Sequence, residues 1–247
     1  MAFSFACLMA GGMMAGMVCR PTYCLSLLVY LTSLLHGQET PALSALTVQK
    51  FTEIQELQQN HRYVDALAKL DELEAESPDL VDIYNMRGAI YLTPALRDFA
   101  KATEMFDKAE KMQPGSLPPR FNKAELLFIK HDWAAAALAF QKVLEDFPKL
   151  PLQVRHLVIY KRLVCEAKQD QIEAAQKTLK DNFTFMDDTP AYYMGHAAIA
   201  FQQKKEEEAK DWIKRAAGIF KTGENSAYMD TLMEARWVPN IGLPPAQ

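Results

Sequence analysis

The sequence predicts an all-α protein, a right-handed α-solenoid of about five helix–turn–helix units followed by a C-terminal capping helix. Three observations support this fold class. Apolar residues recur at helical spacing along most of the chain, one short pattern returns at nearly constant intervals, and no apolar–polar alternation bounded by turn residues indicates a strand. Because one such unit cannot bury its apolar face alone, we expect stacked neighbours to share one elongated core.

The repeated pattern places an aromatic residue three positions before an alanine, a large apolar residue four positions after it and a proline twelve positions after it. The marker alanines Ala66, Ala102 and Ala136 follow one another at nearly equal intervals, and a later partial copy contains Ala209. The complete copies run over residues 63–78, 99–114 and 133–148. Such a period is typical of an array of small helical units.

The first helix of each unit has a signature of its own, seen best in Tyr84, Gly88 and Tyr91 and more weakly around Ala124 and Ala197. Together with the second-helix pattern, it resembles the tetratricopeptide repeat, a short helix–turn–helix unit that occurs in tandem arrays. The resemblance covers roughly residues 47 to 220. It implies a repeat domain over 47–224, with units at about 47–80, 81–116, 117–150, 151–188 and 189–222.

Two units depart from the pattern. The second is slightly longer around Thr93 and Pro94, which we expect to lie in its interhelical turn. The fourth keeps only Ile172, Ala175 and Leu179 of the second-helix pattern and has no closing proline.

Small residues are expected where the two helices of a unit approach each other closely. Exchanging one of these alanines for leucine would overpack the contact, at a cost of ~1–3 kcal/mol. The predicted repeat-packing positions are Gly88, Ala102, Ala124, Ala136, Ala197 and Ala209.

Composition excludes several classes of function. The chain of 247 residues has 27 Lys and Arg against 31 Asp and Glu, a net charge of -4, so it lacks the basic surplus typical of nucleic-acid binding. Cys165 is the one cysteine beyond the apolar N-terminal stretch, which excludes an internal disulfide or a CxxC metal site in the repeat domain. We predict neither metal nor cofactor.

Residues 1–37 are predicted to be a targeting segment, joined by a linker over 38–46 to the repeats. The segment has Arg20 as its one clearly charged residue, and residues 23–35 form an apolar run of signal-peptide length. Translation starting at Met17 would give the usual order of a positive residue before the apolar run, with cleavage near Gly37. The alternatives are a retained membrane anchor, which would be the chain's one membrane contact, and a cytoplasmic protein without export.

The motifs of common enzymes are absent from the sequence, which has no phosphate-binding glycine loop, no GxSxG and no HExxH. His61 and His131 occupy equivalent turn positions before second helices, and His196 faces either a groove or solvent. His156 and Cys165 lie on one predicted helix, ~13 Å apart along its axis, too far for direct proton transfer. We therefore predict a protein without catalytic activity.

The family resemblance implies that first helices line a concave face that binds peptides. The positions expected to face inward are Asn85, Ala89, Phe121, Glu125, Phe128, Met194, Ala198 and Phe201. Such a surface suits an extended peptide or a partner helix with apolar side chains. The alternative for Phe121 and Phe128 is burial in the core between repeats. The basic clamp that some members use for a peptide carboxylate is missing, since Pro118 and Asn122 stand where basic residues are needed.

Residues 225–247 are predicted to form the capping helix, over about 226–237, and a proline-rich tail. The function that follows is non-enzymatic binding of a protein or peptide, as an exported adaptor or assembly factor in the periplasm or envelope of a bacterium. The rival hypothesis is a membrane-anchored structural subunit of a larger complex.

Overall fold

The computed structural model describes residues 44–239, which contain eleven helices and no strand. This confirms the all-helical class. The helices are α1 (Ala45–Gln59), α2 (Tyr63–Glu76), α3 (Val81–Leu92), α4 (Phe99–Met112), α5 (Leu117–Ile129), α6 (Trp133–Asp146), α7 (Leu152–Lys168), α8 (Ile172–Asn182), α9 (Ala191–Gln202), α10 (Glu206–Ile219) and α11 (Thr222–Glu234).

The first ten helices form five consecutive pairs. The two helices of each pair pack on each other, and each second helix also contacts the first helix of the next pair. Tyr84 on α3 shows how neighbouring units join, because its hydroxyl donates to Glu74 on α2 at 2.6 Å. The arrangement is a helical repeat solenoid, as the sequence predicted.

Most first helices end in the same tight turn, in which one residue adopts a left-handed backbone conformation. The residues are His61, His131, Asp170 and Lys204, with φ of 59°, 62°, 58° and 60°. In each case the next residue donates its N–H to a carbonyl five positions earlier, for example Asp132 to Leu127 at 3.0 Å. This bond satisfies a carbonyl that the helix end would leave unpaired.

The turn between α3 and α4 is longer, and it contains Thr93 and Pro94. Its last residues are Arg97, with φ of 44°, and Asp98, whose side chain caps α4 by accepting from the Lys101 N–H at 3.0 Å. The extra length brings Arg97 out of the repeat core and toward α11.

The helices of a pair meet at small residues. A Cβ placed on Gly88 would lie 2.4 Å from a ring carbon of Phe106, so the ring occupies the space that any side chain at this position would need. The five alanines named above as packing positions are all fully buried. They are close-packed, so there is no room at these contacts for larger residues.

Helix α11 ends as the first helices do. Arg236 has φ of 59°, and the Trp237 N–H donates to the Leu232 carbonyl, five positions earlier, at 3.2 Å. By this criterion α11 is the first helix of an incomplete sixth unit. It does touch α9 and α10 of the last complete pair, but its most extensive contact is with α7, a first helix two units earlier. The C-terminal helix therefore lies across the row of first helices.

Candidate functional site

The surface on which α11 lies is formed by α7, α9 and the turns that follow α3 and α5, and we call it the first-helix groove. Seven of the eight residues predicted to face inward are buried, and Phe201 is half-buried. Those on α5 and α9 belong to or pack against one continuous apolar cluster, apart from Glu125, which is paired with Lys161. Asn85 and Ala89 lie farther away, on α3.

Tyr160 forms the centre of the groove, and the sequence analysis missed it. Its side chain is fully buried, its ring centroid lies 5.0 Å from that of Tyr228 on α11, and its hydroxyl donates to the Tyr228 carbonyl at 3.2 Å. Burial raises the pKa of the Tyr160 hydroxyl well above its ordinary value, so the group stays a neutral donor. Tyr160 lies one repeat length before Met194, so it occupies the equivalent position in the fourth unit. It was missed because the fourth unit matches the repeat pattern poorly.

Three basic side chains receive the C-terminal end of α11, and we call them the basic turn cluster. Arg97 donates to the Glu234 carboxylate at 2.6 Å, His131 Nε2 lies 2.9 Å from the Glu234 carbonyl, and Lys168 donates to the Ala235 carbonyl at 3.0 Å. The last carbonyls of a helix lack partners within it and carry partial negative charge. The cluster supplies both the hydrogen bonds and the opposite charge.

Burial affects two members of the basic turn cluster. It lowers the pKa of His131, although the Glu234 carbonyl and carboxylate act in the opposite direction, while Arg236 and Lys168 lower it further. Burial also lowers the pKa of Lys168. At neutral pH His131 is therefore uncharged and uses one ring N–H to donate to the helix end.

Aromatic rings enclose the same end of α11. Trp237 stacks on Phe201, with ring centroids 6.2 Å apart and an angle of 13° between the planes. The Lys168 ammonium lies 4.9 Å from the Trp237 ring centre and 5.6 Å from that of Trp133, so a cation sits between two indoles. The groove thus combines apolar rings with donors for a helix terminus.

A cavity of about 230 Å³ lies at the opposite end of α11. Its walls come from α7, the residues that lead into α9 and the first turns of α11. The lining residues include Val154, Leu157, Pro190, Gly223 and Ala227. The N-terminal half of α11 therefore leaves part of the groove unfilled.

A buried ion pair joins two first helices of the groove region, with Glu125 on α5 and Lys161 on α7. The Lys161 Nζ is 3.0 Å from both carboxylate oxygens of Glu125, and the two side chains are 7% and 9% exposed. Burial raises the pKa of Glu125, with Glu234 of α11 acting in the same direction and Lys161 opposing it. The Lys161 ammonium also lies 4.9 Å from the centre of the Phe128 ring.

Asn85 is the polar member of the predicted set. It is 3% exposed, and neither its amide nitrogen nor its amide oxygen has a hydrogen-bond partner among the described residues. The sequence predicted an inward-facing amide here, and the structure buries it.

The histidines and the cysteine of residues 44–239 are buried in the fold or contact neighbouring side chains. Burial raises the pKa of the fully buried Cys165 thiol, and His156 on the same helix bonds to Thr189 at 2.8 Å. His61 lies 2.8 Å from the Tyr63 hydroxyl, and His196 stacks on Trp212 at 4.3 Å. Within residues 44–239 no group of three or more His, Cys, Asp and Glu side chains is placed to hold a metal ion.

Comparisons with known proteins agree with the helical repeat fold. The model of the tetratricopeptide repeat family matches residues 94–151. A tetratricopeptide repeat protein from Parabacteroides merdae superposes with a TM-score of 0.58 at 18% identity, covering 86% of this chain and 78% of that chain. PilW, described as a widely conserved type IV pilus biogenesis factor, gives 0.58 at 20% identity, over 79% of this chain and 90% of its own. Curated protein sequences give no match.

The chain has the helical repeat fold of tetratricopeptide repeat proteins, and residues 94–151 match that family, as the sequence pattern indicated. Proteins of this family are generally non-catalytic scaffolds that bind proteins or peptides.

The predicted targeting segment, its cleavage site, and most of the linker and of the proline-rich tail lie outside the described residues. Between residues 44 and 239, no helix has both the length and the apolar character that a membrane span requires.

Proposed function

We propose that this protein binds another protein through its first-helix groove, as a non-enzymatic adaptor or assembly factor of the bacterial cell envelope. The observation that carries the proposal is the seating of α11. A groove that encloses a helix, bonds its terminal carbonyls and stacks on the aromatic residue that follows has the features needed to bind a partner's helix.

Three further observations support a location in the envelope. The sequence has a charge-poor N-terminal segment with an apolar run of signal-peptide length. One structural neighbour is described as a pilus biogenesis factor, a function that belongs to the envelope. The single cysteine of the repeat domain, buried and with a raised pKa, also suits an oxidising compartment.

Photo-crosslinking in the organism that encodes the protein tests the binding role. A photoreactive phenylalanine analogue is placed at Phe201, at the edge of the groove, and in a control chain at Leu138, which is 74% exposed on α6. We expect one discrete crosslinked partner from position 201 and none from position 138. Crosslinks from 138 alone, or none from either position, would contradict the proposed function.

The second candidate function is a membrane-anchored subunit of a larger complex, favoured by the same apolar run if it is retained. Intact mass and N-terminal sequence of the protein from its own host, after separation of membrane and soluble fractions, decide between the two. A soluble species that begins near Gln38 supports the exported adaptor. A membrane-bound species that keeps residues 23–35 supports the anchored subunit.

A further inference from the structure

We infer that α11 is a resident ligand of the first-helix groove, and that the partner displaces it with a helix of its own whose last turn is acidic. This inference rests on the proposed function and specifies the kind of partner. It makes α11 an autoinhibitory segment rather than a simple end cap.

The position of α11 is the first argument. A helix that only covered the open end of the array would pack mainly on the last pair, α9 and α10. α11 packs about as extensively on α7, two units earlier, as on that pair, and its end reaches the turns after α3 and α5 through Glu234. It therefore occupies the surface that first helices present to ligands in this family.

The second argument is that α11 fits the groove loosely. The cavity of about 230 Å³ lies beside its first turns and is partly open to solvent, so apolar surface there stays uncovered. Of its buried side chains only Tyr228 and Leu232 are large and apolar, whereas Asn225, Asp230 and Glu234 are polar. Burying such a face yields less hydrophobic stabilisation than a core helix obtains, so α11 can leave at low cost.

The third argument is the specificity of the basic turn cluster. Its members lie in or directly before the interhelical turns of three successive units and meet two terminal carbonyls and one carboxylate of the same helix end. This arrangement recognises a helix C-terminus with an acidic residue in the last turn, whichever chain supplies it. A partner helix with Glu or Asp at the Glu234 position and a larger apolar residue at the Ala227 position would keep these bonds and fill the cavity.

Tethering sets the affinity that the partner needs. A segment joined by a short linker competes at an effective concentration on the order of millimolar. If the open state is populated at about 1%, the partner's apparent Kd is weakened about 100-fold relative to the open groove. Weakening the resident helix should therefore strengthen the binding of a helix added in trans.

The experiment uses the full chain and a synthetic peptide of residues 222–239 as the probe. Leu232→Asp places a carboxylate at a position that is 0% exposed, which expels α11 but leaves every groove residue native. We expect the labelled peptide to bind the Leu232→Asp chain and to raise its Tm, and not to bind the wild-type chain. The matched control is the peptide with the same Leu232→Asp change, which should not bind.

Charge reversal supplies a second variant that does not touch the core. Arg97 lies in the long turn, and Arg97→Glu should repel Glu234 and loosen α11. The Arg97→Glu chain should bind the peptide carrying Glu234→Lys at least about tenfold more tightly than the wild-type peptide. The reason is that this pair of changes restores an ion pair between positions 97 and 234. Failure of the peptides to bind a folded Leu232→Asp chain and the Arg97→Glu chain would overturn the inference.

The outcomes separate this inference from the proposed function. Crosslinks from position 201 to a partner, together with no peptide binding to either variant, would refute displacement and leave the binding function standing. Peptide binding with no crosslinked partner would keep the groove as a helix receptor and refute the adaptor role. If both hold, Leu232→Asp should also increase the crosslink yield from position 201.

Discussion

Replacement of Lys161 by Met is expected to lower the free energy of unfolding by about 3–5 kcal/mol, because it leaves the buried Glu125 carboxylate without its counter-charge. Neither side chain is more than 9% exposed, so water cannot take the place of the missing ammonium. Urea unfolding followed by circular dichroism measures the change.

The double variant Glu125→Leu/Lys161→Met is the matched control. It removes both charges and keeps the volume roughly constant, so we expect it to recover most of the lost stability. A double variant as unstable as Lys161→Met would show that the pair itself contributes net stability.

The stability of Lys161→Met should also depend on pH. Burial already raises the pKa of Glu125, and loss of Lys161 removes the cause that lowers it. The folded state then holds a proton on Glu125 above the pH at which the unfolded chain releases it. The variant is therefore expected to be closer to wild type at pH 5 than at pH 7. The opposite trend would mean that Glu125 stays ionised.

Replacement of Phe128 by Ala is the second large effect, with an expected loss of about 3–5 kcal/mol. The Phe128 side chain is 0% exposed. Its ring centroid lies 5.1 Å from that of Trp133 and 6.2 Å from that of Phe140. Truncation would leave a cavity among rigid neighbours that cannot collapse into it.

Leu138→Ala on the next helix is the control for Phe128→Ala, because Leu138 is 74% exposed and its truncation should change Tm very little. A Phe128→Ala protein with wild-type Tm but impaired partner binding would assign the ring to ligand contact rather than to the core. The structure favours the core, and it makes Phe201, half-buried against Trp237, the better probe of binding.

The sequence predicts the repeat array well because each unit needs the same residue types at the same positions. Ala66, Ala102 and Ala136 occur at nearly constant intervals, and Gly88 stands where the Phe106 ring leaves no room for a side chain. Such contacts lie within one unit, so a single short pattern contains both partners. The helical class and the likeness to tetratricopeptide repeats follow from that pattern alone.

The groove could be predicted only in part. Tyr160 was missed because α7 is longer than the other first helices of complete pairs. The extra length shifts the position of Tyr160 relative to the repeat pattern. Tyr160 therefore lies more than one repeat length after Phe121, although it is one repeat length before Met194. The basic turn cluster joins residues up to 137 positions apart, the separation of Arg97 and Glu234. No local periodicity encodes a contact of that range.

The placement of α11 could not be read from the sequence either. Its residues satisfy the first-helix pattern poorly, and a capping helix and a groove ligand both need one amphipathic face. The choice between them depends on where the long turn brings Arg97 and on how Tyr160 packs against Tyr228. These are tertiary contacts, which the structure alone defines.

Native-state hydrogen exchange on the wild-type full chain tests the central claim most directly, since it asks whether α11 leaves the groove while the array stays folded. We expect the amides of Thr222–Glu234 to exchange through a local opening of lower free energy than global unfolding, with Leu152–Lys168 opening only globally. Exchange of α11 at the same free energy as α7 would contradict the account, because the helix would then be a fixed part of the core.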